Sequence, residues 1–119
     1  MDILVVDDSK AMRAIVIRAV KGVCAEATCR EAANGVEALA AVRQAPPDLV
    51  LTDWNMPEMS GFDLIKALRS EGHTLKIGMV TSESNPDLKE QALQAGAGFL
   101  LHKPFTQDAV RAALKTVLP

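Results

Sequence analysis

Five side chains of this 119-residue chain stand in the same kind of place. Asp7 and Asp8 follow the apolar run Ile3-Leu4-Val5-Val6. Asp53 follows Leu49-Val50-Leu51-Thr52, with Asn55-Met56-Pro57 close behind. Thr81 closes Lys76-Ile77-Gly78-Met79-Val80, and Lys103 follows Phe99-Leu100-Leu101-His102. Short apolar runs bounded by Pro, Gly, Asn and Asp read as buried strands. A single Asp at a strand end is an ordinary turn cap. Three carboxylates, a hydroxyl and an ammonium at four strand ends are a group that could do chemistry. Carboxylates a few ångströms apart repel by roughly 1–4 kcal/mol per pair, so they need a cation. Three hard oxygen donors with room for water and phosphate suit Mg²⁺ better than a softer metal, and no His–Cys group competes as a zinc site. A carboxylate is also a nucleophile towards phosphorus, giving an aspartyl phosphate. A compact Lys ammonium neutralises the charge that develops, and a Thr hydroxyl donates to a phosphoryl oxygen. The set is complete for reversible acyl-phosphate formation.

The elements that must position these groups follow from periodicity. The first strand runs into a helix with Met12, Ile15, Val16, Ala19 and Val20 on one stripe, ended by Gly22. A weaker, more polar strand lies within about 25–31 and reads as an edge strand. Asn34-Gly35 marks a loop. Val36, Leu39, Ala40 and Val42 form the second helix, stopped by Pro46-Pro47. Ser60-Gly61-Phe62-Asp63 resembles a capping box and opens a third helix with Phe62, Ile65 and Leu68, ending near Gly72. Asn85 caps the fourth, with Pro86 at its first position, Leu88, Ala92 and Ala95 along it, and Gly96 at its end. Thr106 caps the fifth, which carries Ala109, Val110, Ala113, Leu114 and Val117. Strict alternation with short connections predicts an α/β fold. It is a (βα)₅ doubly wound parallel sheet covered by helices on both faces. All strand ends listed above then lie on one edge, where such sheets bind ligands.

Bulk properties narrow the field. The length fits one domain, and nothing after the last helix leaves room for a second before Pro119. Thirteen basic against fifteen acidic side chains give a net charge of −2, which makes no electrostatic case for direct nucleic-acid or membrane-surface binding. No apolar run approaches the roughly 20 residues that cross a bilayer, and the chain begins directly with a strand, with no signal peptide. Cys24 and Cys29 read as reduced thiols of a cytoplasmic protein.

Taken in order, Val5-Val6-Asp7-Asp8-Ser9, Asp53-Trp54-Asn55-Met56-Pro57, Val80-Thr81-Ser82 and Lys103-Pro104-Phe105 resemble the receiver domains of bacterial two-component response regulators. The resemblance covers the whole chain, 1–119, as a single domain. The Asp-Trp-Asn-Met-Pro stretch is most similar to the single-domain chemotaxis regulators that bind the flagellar motor. The resemblance implies a flavodoxin-like fold with strand order 2-1-3-4-5. It implies phosphorylation of Asp53 by a histidine kinase or phosphotransfer protein. It implies Mg²⁺ on Asp8, Asp53 and the backbone carbonyl of Asn55, with Asp7 acting through water. Thr81 and Lys103 would hold the phosphoryl oxygens, and the Lys103-Pro104 bond would be cis. A downstream protein would bind the face of the fourth helix, fifth strand and fifth helix.

One position departs from the family. Its switch aromatic lies three residues before the Lys, where this chain has Leu100. Phe99 cannot replace it, because successive strand residues face opposite sides. Thr81 and Leu100 are thus the expected switch pair, with a smaller change in surface. His102 faces away from Lys103 and is not expected to act on phosphate, and His73 and Glu83 read as solvated, though the resemblance implies that the Glu83 position and Asn55 tune how fast water reaches the phosphoryl group. Trp54, Met56 and Met59 read either as packing or as a partner-facing patch. Three alternatives compete: a receiver excised from a larger regulator, a Mg²⁺-dependent phosphatase with an Asp nucleophile, and a flavin or nucleotide carrier. The phosphatase lacks its second carboxylate, because Asn55 stands two residues after Asp53. The carrier lacks a Gly-rich phosphate loop.

Overall fold

The computed structural model describes residues 1–83 and 85–117; the expected domain end at Pro119 lies outside them. Strands β1 (Asp2–Val6), β2 (Thr28–Ala32), β3 (Leu49–Asp53), β4 (Lys76–Thr81) and β5 (Phe99–His102) alternate with five helices. These are α1 (Lys10–Val23), α2 (Gly35–Gln44), α3 (Gly61–Ser70), α4 (Pro86–Ala95) and α5 (Gln107–Lys115). The strands form one sheet in the order β2-β1-β3-β4-β5, and all four pairings are parallel. The expected architecture and strand order are therefore what the chain adopts.

The strands are apolar on both sides because each side has its own helical layer. Leu4, Val6, Val50, Ile77 and Met79 pack with Leu39, Val42, Leu64, Ile65, Leu68 and Ala92 of α2, α3 and α4. Ile3, Val5, Leu49, Leu51, Val80, Phe99 and Leu101 pack with Val16, Val20, Val110 and Leu114 of α1 and α5. Alternation along β5 sends Phe99 and Leu101 to the α1–α5 layer and Leu100 to the other. Phe99 lies against Gly78, where any side chain would collide with its ring.

Several local expectations need correction. Gly22 does not end α1, which continues to Val23 with Cys24 as its cap. A left-handed residue is needed to stop a helix in that way; Gly72 and Gly96 have positive φ and Gly22 does not. Instead the Gln107 side chain lies over Gly22. β2 begins at Thr28, because its register on β1 pairs Asp2 with Thr28 and Val6 with Ala32; it is an edge strand. Ile15 is 50% and Val36 55% exposed, so neither belongs to a core. Asn34 is the N-cap of α2, its side chain accepting from the Glu37 amide, and this places Ala38, Leu39 and Val42 inward and leaves Val36 and Ala40 outside. His73 is not simply solvated. Its side chain is mostly covered, with Nε2 3.6 Å from a Glu71 oxygen, and its carbonyl accepts from Arg69.

Candidate functional site

β1 and β3 end side by side, with Val6 beside Thr52, so the next residues of both strands emerge at one point on the sheet edge. Asp7 and Asp8 come from the first, and Asp53 closes the second. One carboxylate oxygen from each of Asp7, Asp8 and Asp53 lies within 4.8 Å of the others. β5 brings Lys103 from the other side. Its Nζ donates to Asp7 Oδ2 at 3.2 Å and stands 3.4 Å from Asp53 Oδ1. The Lys103 amide donates to the Thr81 carbonyl, tying β5 to β4 just above the sheet. The Lys103-Pro104 peptide is cis.

The three carboxylates differ in setting. Asp7 is 3% exposed. Its Oδ1 accepts from the Ser9 amide at 2.9 Å and its Oδ2 from Lys103. Asp8 is exposed, and among the described residues nothing is hydrogen-bonded to its side chain. Asp53 is half-buried, and its Oδ1 accepts from the Trp54 amide at 2.8 Å. Burial holds the Asp53 carboxyl above its ordinary pKa; Lys103 opposes this, and the neighbouring Asp7 carboxylate adds to it. Three oxygen-bearing groups of like charge, with one ammonium among them, leave an uncompensated negative charge at an accessible edge. That donor set fits a hard divalent cation.

The β3–α3 turn is held close to the acceptor. The Gly61 amide donates to the Trp54 carbonyl, and a Cβ at Gly61 would run into the Asp53 carbonyl oxygen. Glu58 takes a left-handed φ of 69° within this turn. Trp54, Met56 and Met59 are half-buried and pack against the α2–α3–α4 core, so packing is a role they certainly have. Trp54 also stacks on Phe62, ring centroids 5.6 Å apart, which takes Phe62 out of the core expected for it.

Thr81 is fully buried, and its Oγ1 accepts from the Glu83 amide at 3.1 Å; among the described residues its hydroxyl proton has no acceptor. Its register partner is His102, and Met79 beneath it pairs with Leu100. Thr81, His102 and Leu100 therefore share the sheet face opposite Lys103. Two side-chain contacts add to the sequence expectation. Glu83 is not merely solvated, since its Oε1 accepts from Asn55 Nδ2 at 3.1 Å. Arg13 reaches back to the strand end, donating to the Asp7 carbonyl at 2.6 Å and to Glu31 at 2.9 Å. The Arg13 contacts carry no sequence signal, because they depend on how far a side chain of α1 reaches towards the end of β1 and towards β2.

A doubly wound sheet of order 2-1-3-4-5 with a carboxylate cluster and a Lys at its carboxyl edge defines a class, and comparison gives it a family. Residues 3–115 match the response regulator receiver domain, and the chain belongs to that family. It is 39% identical to the chemotaxis protein CheY1 of Helicobacter pylori, over 99% of this chain and 97% of that one. The solved structure of the chemotaxis response regulator CheY4 of Vibrio cholerae superimposes with a TM-score of 0.87 at 35% identity, covering 98% of each chain. The phosphate regulon transcriptional regulatory protein PhoB of Pseudomonas aeruginosa is 36% identical over 98% of this chain, which spans only 51% of it. Members of this family are signalling proteins. No helix among the described residues is long and apolar enough to cross a membrane.

Proposed function

We propose that the chain is a phospho-accepting switch of bacterial chemotaxis: a cytoplasmic receiver domain over residues 1–119, phosphorylated on Asp53. The observation that carries this is the placing of the Asp53 carboxylate within reach of both Lys103 and the acid pair at the open edge of the sheet. An Asp53 oxygen attacks the phosphorus of a phosphohistidine on a histidine kinase or phosphotransfer protein. The P–O bond forms as the P–N bond breaks, and the imidazole leaves with the electron pair and takes up a proton. Asp8 and Asp53 would hold Mg²⁺ directly, with the Asn55 carbonyl, and Asp7 through water. Both Asp7 oxygens already accept hydrogen bonds, which favours that indirect role. The cation would neutralise the phosphoryl charge. Lys103 holds one phosphoryl oxygen, and Thr81 donates its hydroxyl proton to another. Asn55 and Glu83 lie beside the path by which water would hydrolyse the acyl phosphate, and so set its lifetime. The chemotaxis assignment draws on similarity to CheY1 and CheY4 over nearly their whole length. The output is a protein bound at the α4–β5–α5 face.

Incubation with a small phosphodonor and Mg²⁺ should add one phosphate to the intact chain, read by mass, and Asp53→Asn should abolish it. Full-stoichiometry labelling of that variant would overturn the assignment.

A further inference from the structure

We propose that Arg13 is a positioning residue for the cation site: it sets the direction in which Asp8 is presented. The proposal rests on the reading of Asp8 as a metal ligand. Asp8 stands two residues beyond the end of β1, and its side chain has no partner of its own among the described residues. Its placement therefore rests on its backbone, held on one side by the Ser9 amide, which donates to Asp7 Oδ1, and on the other by the peptide that precedes it. That peptide is planar, so fixing the Asp7 carbonyl also fixes the Asp8 nitrogen and the bearing of its Cα.

Every polar group of Asp7 is engaged. Its amide donates to the Ala32 carbonyl at 3.1 Å, Oδ1 accepts from Ser9 and Oδ2 from Lys103. The remaining group, the carbonyl, accepts from Arg13 Nη1 at 2.6 Å. Arg13 is itself fixed: its Nε donates to Glu31 Oε1 at 2.9 Å, and its side chain is only 13% exposed. Glu31 is on β2, directly beside Val5 of β1. The fork of one guanidinium thus joins the edge strand to the loop that carries the acid pair. A Lys has one point of charge and cannot span both acceptors in that fixed geometry.

Charge alone would make Arg13 the wrong residue here. A cation next to a cation site weakens binding by repulsion, so its removal should tighten Mg²⁺. Positioning predicts the opposite sign. The two are separated by titrating Mg²⁺ against Trp54 fluorescence, Trp54 being adjacent to Asp53, in the whole chain. Arg13→Met keeps most of the aliphatic stem and should weaken Mg²⁺ about tenfold, the scale seen when groups that orient metal ligands are removed. Arg13→Lys keeps the charge and should also weaken it, whereas electrostatics alone predicts no change. Glu31→Gln, which keeps an acceptor for Nε, should stay near the parent value.

Should Arg13→Met fail to fold, Arg13→Lys and Glu31→Gln decide the matter. Mg²⁺ bound by Arg13→Lys as tightly as by the parent, or more tightly by a folded Arg13→Met, overturns the proposal and leaves the cation site standing. A parent that shows no Mg²⁺-dependent change, by fluorescence or by calorimetry, overturns the site reading and this proposal with it.

Discussion

The surroundings of Asp53 disfavour its charged form. Burial raises its pKa more than Lys103 lowers it, and Asp7 works in the same direction as burial. A raised folded-state pKa means that the folded protein binds a proton more readily than the unfolded chain. The stability Asp53 contributes is then fully present below the unfolded value. It is lost as pH rises through the raised folded value. Once ionised, the Asp53 carboxylate is a net cost to the fold, which Lys103 offsets in part and a bound cation would offset further. In EDTA, Asp53→Asn should therefore melt a few degrees above the parent at pH 7. The gap should narrow as pH falls to the ordinary carboxylate range. A variant that melts lower than the parent at pH 7 would show that Lys103 outweighs burial. At this scale the sequence told residue types and little else. It put Asp7, Asp8, Asp53, Thr81 and Lys103 at strand ends, but it could not tell that Asp7 is sealed and Asp8 open. That difference arises from Ser9, Lys103 and Arg13 reaching Asp7 from three directions.

Elements are positioned by their caps and by a few close approaches. Ser60, Asn85 and Thr106 each accept from an amide in the first turn of the helix they open, as their sequence context indicates. Asn34 does the same for α2, though it reads as a loop signal in sequence. Arg69 has no sequence signature at all. It donates to the carbonyls of His73 and Leu75 after α3 and to that of Gly96 at the end of α4, fixing both connections at once. Gly61 is the tightest of these positions, because the Asp53 carbonyl occupies the space of a Cβ. Gly61→Ala must push α3 away from the end of β3. A cost of about 1–3 kcal/mol is expected for such overpacking, measured by denaturant unfolding. Phosphorylation of Asp53 should slow at the same time, because the turn that displaces is the one carrying Asn55. Unchanged stability in this variant would mean that the turn can yield without cost.

At the scale of the molecule, parallel strands explain why the site was legible before the fold was seen. Asp7 and Lys103 are 96 residues apart and in contact, because every strand of such a sheet ends on the same edge. What strand order cannot give is coupling from that edge to a distant face. Here the geometry adds one constraint: Thr81 and Leu100 share a sheet face, on neighbouring strands, towards the layer that contains α4. Phosphorylation would bring about −1.5 to −2 of charge to Asp53 and give the Thr81 hydroxyl an acceptor to turn towards. That movement would vacate space on the α4 side, and Leu100, half-buried there, is the side chain placed to follow. A ligand shifts a two-state equilibrium only by its differential affinity for the two states. A Leu exchanges less surface between inside and outside than a Tyr, so the active-state bias on phosphorylation should be small. Leu100→Tyr should strengthen partner binding by the phosphorylated form while leaving the unphosphorylated form nearly unchanged. Thr81→Ala should remain phosphorylatable on Asp53 yet fail to transmit the change. Chemical shifts on adding a phosphoryl mimic would follow both. Perturbations confined to the strand-end loops, with α4, β5 and α5 silent, would show that the signal leaves the site by another route.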